Sequence, residues 1–363
     1  MRILYAVQAT GNGHIARAIE LMPFLQKMGK VDVFLSGSNS HLPAALPVVF
    51  KSKGLSLFYG NKGGLNYPKM LQSFSPFKIM KEASALPVEK YDLVINDFEC
   101  ITSLACKIKR VNSIGLGHQA SFKSRYTPRP EKKDLLGEFI LNNYATASDY
   151  IGLHFENYDS FIHAPVIKEQ VLKANPQNNG HITVYLSHYS DEVLQRYFSK
   201  LTSVQFQVFS KKIKQPVEEA NIKWMPISNE GFTKSMIDSA GVITGAGFET
   251  PAEAMYLQKK LLCLPIKGQY EQLCNAAALQ KLGVKILNAI SEDFSEMIES
   301  WLNQEQQNSF VLQNNTAGLI EKIMEKVDSP FFRPSNLYNE LLQEDSTASN
   351  VKGLSLPQLS LKY

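Results

Sequence analysis

The sequence is poor in cysteine and tryptophan and has no long apolar run. Its 363 residues include four cysteines, and no pair has the CxxC spacing of zinc and redox motifs. No apolar stretch approaches the ~18 residues that a membrane span requires. Residues 1–7 enter an apolar segment directly, without a signal-peptide pattern. We therefore expect neither a disulfide scaffold nor a transmembrane helix, and we predict a cytoplasmic protein with reduced, buried cysteines.

Two acidic motifs are also missing. The chain has no DxD sequence of the kind that holds a divalent metal ion, and Asp97-Phe98-Glu99 is not an equivalent. Gly11, Gly13 and Ala16 match the dinucleotide pattern G-x-G-x-x-A, but the second predicted strand does not end in the acidic residue that would bind a ribose. We therefore predict no metal site and no NAD cofactor.

The composition is that of a folded protein with an uneven charge. Hydrophobic residues make up 44% and charged residues 20% of the chain, without long low-complexity tracts. Residues 1–165 contain 19 basic and 13 acidic side chains, whereas residues 166–363 contain 19 and 21. A basic first half suits an anionic or lipid-linked partner molecule, or peripheral contact with the inner face of a membrane. A solvated charge imbalance is the alternative. Nothing indicates nucleic-acid binding.

The order of apolar and amphipathic segments predicts an α/β protein with two doubly wound units. Strands predicted at 3–7, 31–35, 55–59, 93–96 and 113–116 alternate with helical segments such as 16–28 and 134–147. The pattern restarts after residue 180, with strands at 182–186, 204–209, 222–225, 241–244 and 260–265 and helices at 191–201, 235–239, 250–257 and 317–327. We predict domains at 1–163 and 181–328, a linker at 164–180 and a tail at 329–363.

The first candidate site follows the first predicted strand. Gly11 and Gly13 form a glycine turn that presents His14 at the carboxyl edge of the sheet, where ligands bind in such folds. A general base needs a partner that fixes its tautomer, and Asp97, at the end of another strand, is the candidate. A helix-capping or loop role is the alternative for Asp97. His118 and Gln119 follow a third strand at this edge, as acceptor-site residues or as loop caps.

The second candidate site lies in residues 240–276. Gly245, Ala246 and Gly247 form a small-residue turn that leads into a helix, an arrangement whose free N–H groups bind anions. Ser187 follows a neighbouring strand, and hydroxyl groups there either hold phosphate or cap the next helix. Thr250 and Glu253 lie within the first turns of the helix after Gly247. The polar segment that follows offers side chains suited to the hydroxyls of a sugar: Gln269, Glu271, Gln272 and Asn275.

These motifs resemble those of the GT-B glycosyltransferases, particularly the family of the bacterial peptidoglycan N-acetylglucosamine transferase and its lipid-glycosylating relatives. Residues 11–14 resemble its N-terminal G-x-G-G-H loop, and residues 269–275 resemble its donor-sugar D/E-Q-x-x-N-A segment. His118-Gln119 is similar in position to its H-E-Q-N loop. The chain departs from the family at Asn12, Glu249 and residues 258–260. The resemblance implies two Rossmann-like domains facing each other across a cleft.

The resemblance also implies an activity. We expect an inverting, metal-independent glycosyltransferase that moves a sugar from a nucleoside-diphosphate sugar, such as UDP-GlcNAc, to a hydroxyl acceptor. The diphosphate would lie at residues 245–247, the ribose at Glu253 and the sugar at residues 269–275. The donor would be a co-substrate, and no cofactor is expected. Two alternatives stay open: a UDP-sugar 2-epimerase of the same fold, and a catalytically silent protein that binds nucleotide sugars.

Overall fold

A computed structural model of the chain describes residues 1–37, 46–54, 75–304, 312–329 and 332. The strands, numbered in chain order, are β1 Arg2–Gln8, β2 Lys30–Ser36, β3 Val48–Ser52, β4 Leu93–Asp97, β5 Ile114–Gly117, β6 Asp149–Leu153, β7 Ile162–His163, β8 His181–Tyr185, β9 Gln205–Ser210, β10 Val217–Glu219, β11 Ile222–Pro226, β12 Gly241–Gly245, β13 Lys260–Leu264 and β14 Lys285–Ile286. The α-helices are α1 Asn12–Met28, α2 Pro76–Ala85, α3 Cys100–Lys109, α4 Leu135–Asn143, α5 Glu169–Leu172, α6 Asp191–Phe198, α7 Asn229–Asp238, α8 Glu249–Tyr256, α9 Tyr270–Lys281, α10 Phe294–Asn303 and α11 Thr316–Val327.

The strands form two sheets that share one topology. Within the described ranges, the first sheet has the order β3-β2-β1-β4-β5-β6-β7 and the second the order β10-β11-β9-β8-β12-β13-β14. Neighbouring strands are parallel in both sheets, except that β10 is antiparallel to β11. The strand order reverses direction between β1 and β4, and between β8 and β12. A crevice opens at such switch points, at the carboxyl ends of the strands, and ligands bind there.

The strands are apolar because helices cover both faces of each sheet. In β1 all residues after Arg2 are buried, and β4 is buried along its whole length. A continuous apolar run is the sequence signature of a parallel strand enclosed in this way. The predicted α/β class with two doubly wound units is confirmed.

Several elements differ in extent from the predictions. Helix α1 begins at Asn12 rather than at residue 16, because Gly11 in extended conformation already serves as its N-cap. His14 therefore lies in the first helical turn. The segment predicted at 235–239 is the end of the longer helix α7, whose start is capped by the Ser228 hydroxyl accepting from Gly231 N–H at 3.0 Å. The predictions omitted nine elements, most of them short: β3, β6, β7, β10, β14, α2, α3, α5 and α10.

Some predictions fall outside the described residues. These are the strand at 55–59, a loop at 60–71 that we expect to help determine the acceptor, and almost all of the tail at 329–363. Helix α11, which the sequence places at the end of the second domain, lies against the first: Lys326 Nζ contacts Asp149 Oδ2 at 2.6 Å. One apolar cluster also contains residues from both halves, such as Ile15 and Phe248. The two halves are therefore packed against each other around the cleft.

Candidate active site

The structure brings together His14 and Asp97. Because β1 and β4 are neighbours in the sheet, the turn after β1 and the end of β4 meet at the switch point. His14 Nδ1 lies 2.8 Å from Asp97 Oδ1, and Asp97 is fully buried. Glu99, rather than Asp97, caps helix α3 by accepting hydrogen bonds from Ile101 and Thr102 N–H groups at 2.9 and 2.6 Å. The Asp97 carboxylate is thus available to the histidine.

A strained turn holds Asp97 in place. Phe98 has a positive φ of 55°, a conformation that non-glycine residues seldom adopt. The Asn96 side chain spans this turn: its Nδ2 donates to Glu99 O at 2.8 Å, and its Oδ1 accepts from Glu99 N–H at 2.7 Å. Such a strained conformation persists only where the surrounding contacts hold it, and it is often found at functional sites.

A third residue, Arg17, completes the cluster, and sequence reasoning missed it. Arg17 Nε donates to Asp97 Oδ2 at 2.9 Å, and Arg17 Nη2 donates to Asp97 Oδ1 at 2.7 Å. Burial by itself would raise the pKa of the Asp97 carboxyl, but the neighbouring Arg17 and His14 lower it to about 2. The sequence did contain a signal for Arg17. Residues three apart on a helix lie on the same face, and Arg17 comes three residues after His14.

The same arginine reaches across the cleft. Its Nη1 donates to Oε1 of Glu249, the first residue of α8, at 2.5 Å. The Glu249 carboxylate lies so close to Gly13 that a Cβ there would be 2.3 Å from Oε2. Glycine at position 13 therefore allows the Glu249 carboxylate to lie this close to the backbone. At Gly11 a Cβ would have no atom within 4 Å, so this predicted binding residue borders open space.

The predicted diphosphate turn lies opposite the His14 cluster. Gly245 ends β12, Ala246 is buried, and a Cβ on Gly247 would meet nothing within 4 Å. Helix α8 follows at once, with Phe248 as its N-cap and no side-chain hydrogen bond to its first N–H groups. Thr250 is its second residue. An uncapped helix start beside an open glycine has the features of an anion site.

Glu253, the predicted ribose ligand, is buried and already paired. Its carboxylate oxygens lie 3.1 and 3.2 Å from Nζ of Lys168, which comes from the predicted linker. Burial raises the pKa of the Glu253 carboxyl, and Lys168 opposes that rise. Ser187, the other predicted phosphate contact in this domain, is exposed after β8, the strand that adjoins β12.

The predicted sugar-binding side chains divide into two groups. Buried Asn275 donates from Nδ2 to Ala246 O at 3.1 Å and so supports the predicted diphosphate turn, whereas Gln272 Oε1 accepts from Ile266 N–H at 2.9 Å and supports the loop after β13. Gln269, the N-cap of α9, has its buried Oε1 without a hydrogen-bond partner among the described residues. Glu271 is partly exposed in the first turn of α9. Gln269 and Glu271 are therefore better placed for a ligand.

The predicted acceptor residues lie where the two halves meet. The buried His118 ring stacks on Phe248 with centroids 4.0 Å apart, and its Nε2 is 2.6 Å from Asn275 Oδ1. Gln119 Nε2 is 3.4 Å from His14 Nε2, while Gln119 Oε1 is buried without a partner among the described residues. A small surface recess adjoins Gln119 and is lined also by Asn96, Phe98 and Tyr150.

Two facing domains of this topology, with a site between their switch points, define the GT-B class of glycosyltransferases. The family model described as glycosyl transferase family 1 matches residues 1–304, and the chain belongs to this family. The predicted GT-B fold and glycosyltransferase activity are thereby confirmed. A comparison with curated proteins finds no match.

Solved structures of similar fold include several glycosyltransferases. MurG of Acinetobacter baumannii is 15% identical, with 89% of this chain and 99% of that one covered and a TM-score of 0.54. UGT89C1 of Arabidopsis thaliana, solved with UDP, is 15% identical, with 94% and 98% covered and a TM-score of 0.56. The glycotransferase of kitacinnamycin is 11% identical, with 90% and 99% covered and a TM-score of 0.59. At such identities the likeness shows the fold alone.

Two further observations concern the whole described part of the chain. In those residues no helix is long and apolar enough to cross a membrane. The same residues contain no group of three or more His, Cys, Asp and Glu side chains arranged to hold a metal ion. The predicted cytoplasmic location stays a prediction.

Proposed function

We propose that the protein is an inverting glycosyltransferase that uses a UDP-sugar donor and needs no metal ion. The observation that carries this proposal is the His14–Asp97 pair, whose Nδ1···Oδ1 distance is 2.8 Å, facing the uncapped start of α8 across the cleft. A UDP-bound relative of the same fold supports the choice of nucleotide.

His14 would act as the general base. With its Nδ1–H donated to Asp97, the neutral ring has Nε2 unprotonated, and an acceptor hydroxyl that replaces the 3.4 Å contact of Gln119 Nε2 could transfer its proton there. The acceptor oxygen then forms a bond to the anomeric carbon of the donor sugar, while the bond from that carbon to the diphosphate oxygen breaks. The electron pair leaves with UDP and the proton stays on His14. Attack on the face opposite to the leaving group inverts the anomeric configuration.

The C-terminal domain would hold the donor. Negative charge develops on the departing diphosphate, and fixed N–H groups at Gly247 and the start of α8 would stabilise it there. A helix terminus contributes about 0.3–1 kcal/mol to an exposed anion and up to about 2 kcal/mol to a partly buried one, so several N–H donors must act together. Glu253 would bind the ribose hydroxyls, and Gln269 and Glu271 the sugar.

The acceptor would bind on the N-terminal domain, on the surface beside Gln119. We further propose a lipid-linked or anionic acceptor at a membrane surface. Leu135 and Phe139 on α4 are 83% and 63% exposed, and Lys132 and Lys133 precede the helix and its N-cap Asp134. Gly137 on the same helix packs against Tyr270 of the donor domain. An exposed apolar face beside basic residues suits an anionic membrane interface.

Two measurements test the enzymatic proposal. We expect calorimetry to detect UDP binding, and the variant His14→Ala to lose about 10²–10⁴-fold in turnover while its UDP affinity stays close to that of the wild type. Full transfer activity in that variant would refute the assignment of the base. Incubation with UDP-GlcNAc alone separates the rivals: epimer and UDP would indicate a 2-epimerase, and UDP binding without any turnover a silent binding protein.

Vesicle sedimentation tests the membrane proposal. We expect the protein to sediment with vesicles that contain anionic phosphatidylglycerol more than with neutral vesicles, and Leu135→Asp with Phe139→Asp to abolish the difference. Undiminished binding of this double variant would show that α4 is not the contact surface.

A further inference from the structure

Arg17 is the one described cation that contacts both the proposed base pair and the opposite domain. Arg17 is 3% exposed, and its guanidinium donates to both oxygens of Asp97 and to Oε1 of Glu249. Burial by itself would lower the pKa of Arg17, but Asp97 and Glu249 raise it, so the group stays a cation. A bidentate Arg–carboxylate pair is also directional, because the planar fork fixes the plane of the carboxylate.

The charge state of His14 depends on this arrangement. A buried carboxylate without a positive partner is strongly unfavourable, and a neighbouring imidazole relieves it by becoming protonated. An imidazolium cannot accept a second proton, so a histidine charged in this way is no longer a base. In this structure Arg17 supplies the positive charge, because its Nε and Nη2 both donate to the carboxylate that His14 Nδ1 contacts.

The surroundings contain no second cation for this purpose within the described residues. Tyr5 hydroxyl, 3.5 Å from Asp97 Oδ2, is neutral, and Gln119 is neutral beside His14 Nε2. Glu249 is an anion, and its side chain is 23% exposed. When His14 is neutral, Arg17 is therefore the only positively charged side chain beside Asp97 among the described residues.

We propose that Arg17 is the positioning residue of the base: it neutralises buried Asp97, so that His14 stays neutral and able to accept a proton, and Glu249 holds it in this position from the donor domain. The inference rests on the proposed role of His14. The proposal also gives a role to Glu249, which departs from the family pattern in the turn expected to hold a diphosphate. The positive charge of Arg17 offsets the negative charge of Glu249 there.

Nitrogen-15 NMR of the histidine rings in the full-length protein, without any ligand, tests this inference. The His14 signals are assigned by their loss in His14→Gln. At pH 7 we expect one protonated ring nitrogen in the wild type and in Arg17→Lys, which keeps the charge. In Arg17→Gln we expect both nitrogens protonated, with the ratio of charged to neutral His14 raised at least about tenfold, because an adjacent charge shifts an ionisation by about one to three pH units.

Two further variants test the same inference, one as a second perturbation and one as a control. Glu249→Gln removes an anion from the cluster, so its ratio of charged to neutral His14 should fall, and this test remains if Arg17→Gln does not fold. Tyr270→Phe is the matched control, since it deletes a hydrogen bond of 2.8 Å to Glu138 across the same interface without touching the cluster, and its His14 signals should match the wild type. A neutral His14 in folded Arg17→Gln, or an unchanged ratio in Glu249→Gln, would overturn the inference. Failure of the wild type to bind UDP would instead refute the proposed donor and leave the NMR outcome standing.

Discussion

The charge on Asp97 should make a measurable contribution to stability that disappears in acid. The carboxyl is fully buried, and its pKa is lowered from 3.8 to about 2 by Arg17 and His14 acting against burial. A group whose folded-state pKa is depressed stabilises the protein above its unfolded pKa and loses this effect as the pH falls towards the folded pKa. At 1.36 kcal/mol per pH unit, the charge contributes about 2 kcal/mol near neutral pH.

The variant Asp97→Asn isolates this contribution, because an amide of the same shape does not ionise in this range. We expect the wild type to exceed the variant in unfolding free energy at pH 6, and the difference to shrink by about 1 kcal/mol at pH 3 and by about 2 kcal/mol at pH 2. Urea unfolding is the assay. Both tryptophans, Trp224 and Trp301, lie in the second half of the chain, so far-UV circular dichroism must accompany fluorescence.

The pH dependence of the difference is the decisive quantity. The variant also leaves Arg17 with one carboxylate fewer, and breaking a buried pair costs about 3–5 kcal/mol, so a large difference at pH 6 alone would not identify the cause. A difference that stayed constant from pH 6 to pH 3 would refute the reasoning, because it would mean that Asp97 is not an ionised partner of Arg17 and His14.

Two other substitutions give separable results. Gly13→Ala should displace the Glu249 carboxylate from Arg17, since the new Cβ would lie 2.3 Å from Oε2 at the end of a flexible side chain. The gain of about 0.5–1 kcal/mol in helix propensity offsets part of that loss. We expect a His14 NMR signature like that of Glu249→Gln, and a wild-type signature would show that Glu249 does not reach this position. Glu253→Gln should weaken UDP binding about tenfold or more and reduce the preference for UDP over 2′-deoxy-UDP, because a hydrogen bond to a charged group contributes about 1.5–3 kcal/mol. An unchanged preference measured by calorimetry, with a lowered melting temperature, would assign Glu253 a structural role through Lys168.

The predictions from sequence succeeded where local pattern and topology agree. The apolar runs of β1 and β4 are buried on both faces, so they are recognisable without long-range information. Both parallel strands end at the same edge, which made His14 and Asp97 predictable as neighbours. Strand β6 was missed: its first two residues are only half-buried and its core is three residues long, Ile151 to Leu153. Helix α3 was missed because its start is signalled by Glu99, which is a less common cap than Ser, Thr, Asp or Asn.

The sequence by itself determined the α/β class, the two tandem units, the glycine turns after β1 and β12 and the candidacy of Asp97 as the partner of His14. These follow from the period of apolar residues and from the common direction of parallel strands. Only the tertiary structure decided the roles of Arg17, Glu249 and Lys168. Arg17 contacts Glu249 and Lys168 contacts Glu253 across separations of 232 and 85 residues. Such contacts depend on how the two domains close over the cleft, and no local pattern records that geometry.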